Sequence, residues 1–341
     1  MNTLKIISAF AFLVLCFASC NKDEEPDKAP FVYVAGWEDT PSFRSGRWWK
    51  NGKQQKLSGD VNETNTNSVF VSGNDVYVSG SIFKEEKLFS VYWKNNVMVE
   101  LTDGTNPAGT NSIYVKGEDV YVLGEELEEG SNHIYKYWKN GVEVKLTDGT
   151  KGEVAKSIFV SGDDVYVAGY ASVPANSKSL AKYWKNGNEV VLTNGERDAY
   201  ATSVFVSGND VYVAGHESNG SKSVAKYWKN NVEVVLGGNT YFSFAQSVFI
   251  SGDDVYVTGW GGSENMSIAR YWKNGSEIKL TDGEHEANAY SIYVLNDDVY
   301  VTGSEVKAGG GMVALYWKNG VRVPLTSGKT NAGGLSIFVT N

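Results

Sequence analysis

Ser157-Ile-Phe-Val-Ser-Gly-Asp-Asp-Val-Tyr-Val-Ala-Gly169, followed after a variable stretch by Ala181-Lys-Tyr-Trp-Lys-Asn-Gly187 and Val190-Val-Leu-Thr193, decides the fold. Its pieces are short, rich in Val, Ile, Tyr, Phe and Trp, and bounded by Gly, Asn, Asp or Ser, which are strand and turn signals. Apolar residues at helical spacing are absent over any run long enough for a helix, so the unit reads as four strands, a to d. Strands a and b are joined by Ser161-Gly-Asp-Asp164, a tight hairpin in which Gly supplies a positive φ. Strands c and d are joined by Lys185-Asn-Gly187, and Asn-Gly is the strongest short hairpin signal because a type I′ turn needs φ > 0 at both central residues. The b–c and d–a connections are longer and differ between copies.

The Tyr-Trp-Lys-Asn of strand c, or a near copy, recurs seven times at 44 to 46 residue intervals, with tryptophans Trp49, Trp93, Trp138, Trp184, Trp228, Trp272 and Trp317. Four antiparallel strands at this period predict an all-β chain folded as a seven-bladed β-propeller. Strand a begins at Ser68, Ser112, Ser157, Ser203, Ser247, Ser291 and Ser336. Strand b appears first at Phe31 with no strand a ahead of it, and Ser336 opens a strand a with no b after it. Complete sets therefore require the C-terminal strand to finish blade 1, which closes the ring and removes exposed edges. The repeated Trp and Tyr positions read as packing between blades.

The front of the chain reads as an address. Lys5, the apolar run from Ile6 to Phe17 and the small residues before Cys20 fit a secretory signal over residues 1–19, too short for a membrane span. Phe17-Ala-Ser-Cys20 resembles the lipobox of bacterial lipoproteins, with Phe17 where Leu is usual; the resemblance implies a lipid such as palmitate on Cys20. Asn21-Lys-Asp-Glu-Glu-Pro-Asp27 resembles the surface-export signal of lipoproteins in some Gram-negative bacteria and also reads as a solvated tether over 20–30. The expectation is an outer-membrane protein displayed on the cell surface, touching the membrane only through its anchor, with one domain over 31–341. Cys16 lies within the signal, so the mature domain has no disulfide and no cysteine redox chemistry. Losing Lys5 with the signal leaves 30 of the 31 basic residues against 40 acidic ones, a net charge of −10 that argues against nucleic acid.

Chemistry-bearing motifs are sparse. His133, His216 and His285 stand singly in different copies, with no ligand pairing for zinc or copper, so no metal or other cofactor is expected. The nucleophile elbow, the phosphate loop, the haem-attachment motif and the Asp box of sialidase-type propellers are all missing. Asp164 and Asp210 sit in a–b hairpins, where Asp caps turns. Glu125, Glu217 and Glu286 are the carboxylates a polysaccharide hydrolase or lyase would draw on, provided two of them pair.

Function is sought where the copies disagree. Alternating strand direction puts the b–c and d–a connections on one face, the candidate binding face. The residue after the strand-b Gly is Trp37, Ser81, Glu125, Tyr170, His216, Trp260 and Ser304 in blades 1 to 7. The residue before the strand-a Ser is Asn67, Asn111, Lys156, Thr202, Gln246, Tyr290 and Leu335, a ring at the channel mouth if strand a is innermost. With Tyr200, Tyr241, Phe242 and Phe244 assigned to d–a loops, this face is aromatic and amide-rich, suited to sugar rings and hydroxyls or to a peptide. Trp37, Tyr170, His216, Trp260, Tyr290, Asn67, Asn111 and Gln246 are the candidate contacts for a glycan or protein partner of a monomeric propeller. The competing readings are aromatics that only cap the core between blades, an enzyme on the same face, and a passive scaffold in an outer-membrane complex.

Trp138-Lys-Asn-Gly141, Leu146-Thr147, Ala155-Lys-Ser-Ile158 and Val165-Tyr-Val-Ala-Gly169 together resemble extracellular HAF-type repeats, and more distantly kelch-like propellers. Leu-Thr stands where Leu-Gly is usual. The resemblance covers 31–341 and implies a propeller without implying an activity; the copper site of kelch-type oxidases has no counterpart here.

Overall fold

The computed structural model describes residues 29–58, 63–128, 133–173, 175, 177–237, 242–263 and 266–341. The readings on the signal over 1–19, on Cys20 and on Tyr241 lie outside the described residues. Among the described residues every regular element is a strand, and the strands form seven antiparallel four-stranded blades. Blade 4 consists of Val154–Ser161 (a), Asp164–Val173 (b), Lys178–Lys185 (c) and Asn188–Val191 (d). The seven a strands touch one another in an unbroken circle, so strand a is innermost. Blade 1 is completed as expected: Phe31–Asp39 pairs with Arg44–Lys50 on one side and with the C-terminal Ala332–Thr340 on the other, from Phe31 opposite Thr340 to Glu38 opposite Ala332. Val34, Trp49, Ile337 and Val339 join Tyr300 and Ala314 of blade 7 in one buried cluster across that closure.

The repeated tetrapeptide has a physical role at each position. Its Asn and the next residue form the type I′ turn, with φ of 52° at Asn186 and 80° at Gly187. The Asn186 side chain reaches across to the a–b hairpin, accepting from the Val165 amide at 2.8 Å and donating to Asp164 at 2.7 Å. Lys185 binds the other Asp164 oxygen at 2.7 Å. Together the ammonium and the amide hold the Asp164 carboxyl below its ordinary range. The Lys–Asp pin recurs in blades 2 to 7. Blade 1 has no such Asp, and Lys50 lies instead over the rings of Phe31 and Tyr33 at 4.4 and 5.1 Å. The tryptophans are at most 2% exposed and fill the space between blades.

Every strand a carries a β-bulge, and the bulged residues are Asn67, Asn111, Lys156, Thr202, Gln246, Tyr290 and Leu335. The bulge drives the strand-a backbone against strand b, which explains the invariant strand-b glycine by proximity. A Cβ on Gly215 would lie 2.0 Å from the Tyr200 carbonyl oxygen and 3.0 Å from the Trp228 ring. The strand-a serine ties blades together: Ser203 Oγ accepts from the Val248 amide at 3.3 Å, and Ser336 Oγ accepts from the Val69 amide at 3.1 Å across the closure.

Two residues beyond each serine stand Phe70, Tyr114, Phe159, Phe205, Phe249, Tyr293 and Phe338, whose rings form a closed circle with centroids 4.7 to 5.1 Å apart. Burial first, and the Tyr114 side chain of blade 3 second, push the Tyr293 hydroxyl of blade 7 up. One expectation is corrected: strand a starts several residues ahead of its serine. Phe242 and Phe244 therefore lie on Phe242–Ser251 and Tyr200 on Ala199–Ser207, not in d–a loops.

Candidate functional site

Beyond the bulge, the first half of strand a and the second half of strand b extend to the long-connection face. Here Tyr170 pairs with Val154, Tyr200 with His216, and Phe244 with Trp260. Cross-strand partners sit side by side on one face of a sheet. Large rings at this register in consecutive blades thus become neighbours. Tyr170 meets Tyr200 edge-on at 4.8 Å, Tyr200 stacks on His216 at 4.9 Å, and His216 meets Phe244 edge-on at 4.7 Å. Phe244 continues to Trp260 at 5.6 Å, and Trp260 to Tyr290 edge-on at 5.5 Å. The outcome is a continuous aromatic arc over blades 4 to 7, every ring half-buried.

The arc has polar ends. In blade 3, Glu125 accepts from Asn111 at 2.9 Å and stands opposite Tyr135. Burial, then the Glu125 carboxylate and Tyr170, push the Tyr135 hydroxyl up, so it remains a hydrogen-bond donor. At the other end burial pushes the Tyr290 hydroxyl up, opposed by hydrogen bonds to Ser304 and Asn288 and reinforced by Glu286. Near the middle, burial alone drives the His216 imidazole down to about 4, leaving the ring neutral at pH 7. Its buried Nδ1 has no partner among the described residues.

Four predicted contacts, Tyr170, His216, Trp260 and Tyr290, are brought together, with Tyr200 and Phe244 as the links. Trp37 is not. In blade 1 its indole packs on Gly333 and carries the Arg44 guanidinium 3.7 Å above the ring, itself held by Asp39 at 3.1 Å. Asn67 and Asn111 spend their amides on the blade junctions, donating to the carbonyls of Thr110 and Ala155, as Thr202 does to Ala245. Gln246 is half-buried at the bulge of blade 6. The carboxylates Glu125, Glu217 and Glu286 stand on three different blades, and Glu217 is held by Lys226 at 2.6 Å. Among the described residues no group of three or more His, Cys, Asp or Glu is placed to hold a metal ion.

Reading the sequence did not find a ladder of buried cations. The residue ahead of Tyr-Trp is Lys136, Lys182, Lys226 and Arg270 in blades 3 to 6, each 9% exposed or less. Each meets the strand-d glutamate opposite the tryptophan: Glu143 at 3.1 Å, Glu189 at 3.1 Å, Glu233 at 2.8 Å and Glu277 at 3.0 Å. Buried cations need such partners, since desolvation costs several kcal/mol per ion. The available signal was the Lys or Arg standing where blades 2 and 7 have Val91 and Leu315.

No family model and no curated protein matches the chain. Among solved structures it is similar to the acylaminoacyl peptidase of Pyrococcus horikoshii at 13% identity and a TM-score of 0.56, covering 88% of this chain but 52% of that one. The chain thus spans about half the length of that peptidase. It is also similar to an ulvan lyase of polysaccharide lyase family 25, solved with -[GlcA(1-4)Rha3S]- bound, at 9% identity and a TM-score of 0.55, with 91% of each chain covered. At these identities the likeness establishes the fold alone: the chain is a seven-bladed β-propeller.

Proposed function

We propose that the long-connection face binds a glycan, with Tyr170, Tyr200, Trp260 and Tyr290 as the platform. The observation that carries this reading is the unbroken aromatic arc flanked by the Glu125 carboxylate and the Tyr290 hydroxyl, because flat apolar rings edged by hydrogen-bonding groups suit sugar faces and their hydroxyls. The polysaccharide named for the ulvan lyase fits the same class of ligand. A peptide or protein partner is the alternative occupant of this face.

A polysaccharide panel read by intrinsic fluorescence, with release of oligosaccharide measured in parallel, tests the proposal. Saturable binding without product supports a binding protein, and product release supports a lyase or hydrolase. Losing one ring contact is worth about 0.5–1.5 kcal/mol beyond area burial, so Trp260→Ala with Tyr200→Ala lowers affinity about tenfold or more. An unchanged affinity for a bound glycan sinks the assignment.

The lipobox-like Phe17-Ala-Ser-Cys20 supports a lipid anchor on Cys20 and display at the outer membrane, and the resemblance of the repeats to extracellular HAF-type ones agrees with that setting. Labelling with a palmitate analogue, lost in Cys20→Ser, tests the anchor; surface proteolysis of intact cells tests the display.

A further inference from the structure

Blade 4 departs from its neighbours in one matched exchange. In blades 3 and 5 the buried lysine takes a carboxylate from its own strand b: Lys136 from Glu126, and Lys226 from Glu217 at 2.6 Å. The position four residues before the strand-a serine is alanine in both, Ala108 and Ala199. In blade 4 the strand-b position is Ala171 and the strand-a position is Glu153. Lys182 therefore receives its second carboxylate from the other side, with Glu153 Oε1 and Glu189 Oε1 each 3.1 Å from its Nζ.

The exchange leaves an acceptor over. Glu153 is 4% exposed, and its Oε2 is buried with no hydrogen-bond donor among the described residues. A buried carboxylate oxygen without a donor costs free energy that an incoming N–H or O–H recovers. Glu153 also lines a pocket of about 500 Å³ between blades 3 and 4, apart from the aromatic arc, with Ile134 and Leu146 as its apolar wall. The charged lining is four acids, Glu128, Asp148, Glu153 and Glu189, against two lysines, Lys145 and Lys151. Both lysines are committed, Lys151 to Glu189 at 3.2 Å and Lys145 to Glu128 at 3.6 Å. Lys182, shared by Glu153 and Glu189, is the third cation, so one negative charge is in surplus, and Glu153 Oε2 is the buried acceptor without a donor.

We infer that this pocket binds a primary ammonium group, which donates to Glu153 Oε2 while its carbon skeleton rests on Ile134 and Leu146. Calorimetric titration of the intact protein with glucosamine, Nα-acetyl-lysine amide, glucose and N-acetylglucosamine tests it. The first two carry the ammonium on a sugar and on an amino-acid side chain, and so separate the two sources of that chemistry. Saturable binding of at least one amine, absent for glucose and N-acetylglucosamine, is the expected result. Glu153→Gln weakens it about tenfold or more, the scale of one charge-assisted hydrogen bond. The double variant Glu153→Ala, Ala171→Glu recreates the arrangement of blades 3 and 5, keeps Lys182 paired and removes the pocket acceptor; it melts like the parent and loses amine binding. No saturable binding of either amine, equal binding of glucose, or amine binding unchanged in the double variant overturns the inference.

Discussion

Acid should expose the cost of burying His216. The imidazole titrates at about 4 in the folded protein against an ordinary 6.5, because burial between Tyr200 and Phe244 disfavours its charged form. Above pH 6.5 both folded and unfolded chains carry it neutral, and it contributes no pH dependence. Below 6.5 the unfolded chain takes up a proton that the folded one does not, so stability falls with pH until about 4, where the folded protein also protonates. Linkage over that interval gives a loss of about 2 kcal/mol at pH 5 and almost none at pH 7, approaching about 3 kcal/mol below pH 4. The perturbation is His216→Phe, which keeps an aromatic between the same two rings and removes the unpartnered Nδ1. Urea unfolding of parent and variant at intervals from pH 7.5 to 4.5 isolates the effect, since the titrating aspartates are common to both and cancel in the difference. The variant should gain about 2 kcal/mol on the parent between pH 7 and pH 5. Parallel profiles for the two proteins would refute the reasoning and show that the imidazole remains accessible to protons in the fold.

Removing residues 332–341 takes Ile337, Phe338 and Val339 from the closure, at about 1.5–3 kcal/mol for each buried side chain, and leaves Phe31–Asp39 unpaired along one edge. That is comparable to the whole stability of an ordinary domain, about 5–15 kcal/mol, so cooperative melting should be lost and regained on adding the missing strand as a peptide; a parental melt after truncation contradicts the closure. Gly215→Ala should destabilise by about 3 kcal/mol, because the new Cβ meets backbone that cannot yield. Gly208→Ala, in an open hairpin at φ 57°, should cost only about 1–2 kcal/mol, and the opposite order in thermal unfolding would remove the bulge-contact explanation.

The parts of the fold legible in the sequence are those set by local chemistry. Asn186-Gly187 announces its turn, Ser157 and Trp184 mark register in every copy, and the unmatched strands at Phe31 and Ser336 imply closure. The bulge is not legible, because Thr202 adds one residue to an otherwise continuous strand pattern and only its close approach to Gly215 betrays it. The true start of strand a is hidden for a related reason: Tyr200-Ala-Thr202 and Phe244-Ala-Gln246 lie in the part of the repeat that varies. For the site, comparing equivalent positions located Tyr170, His216, Trp260 and Tyr290. It could not separate them from Trp37, which shares their register but faces Gly333 where the others face aromatic partners or neighbours. Continuity of the arc depends on which blades are adjacent and on both strands at once. The buried lysines were obscured because a Lys in a strand reads as solvent-facing until a strand-d glutamate is placed opposite the next residue.

Phe31 and Thr340 face each other at the tight-hairpin end of blade 1, so both ends of the propeller leave from the side opposite the aromatic arc. Whatever holds the chain ahead of Phe31, whether a lipid, a bead or a fused domain, acts as a leash on the back of the ring and leaves its aromatic side facing outward. Presentation is thereby built into the connectivity, and a circular permutant opened at a b–c connection would be expected to turn that side toward its support.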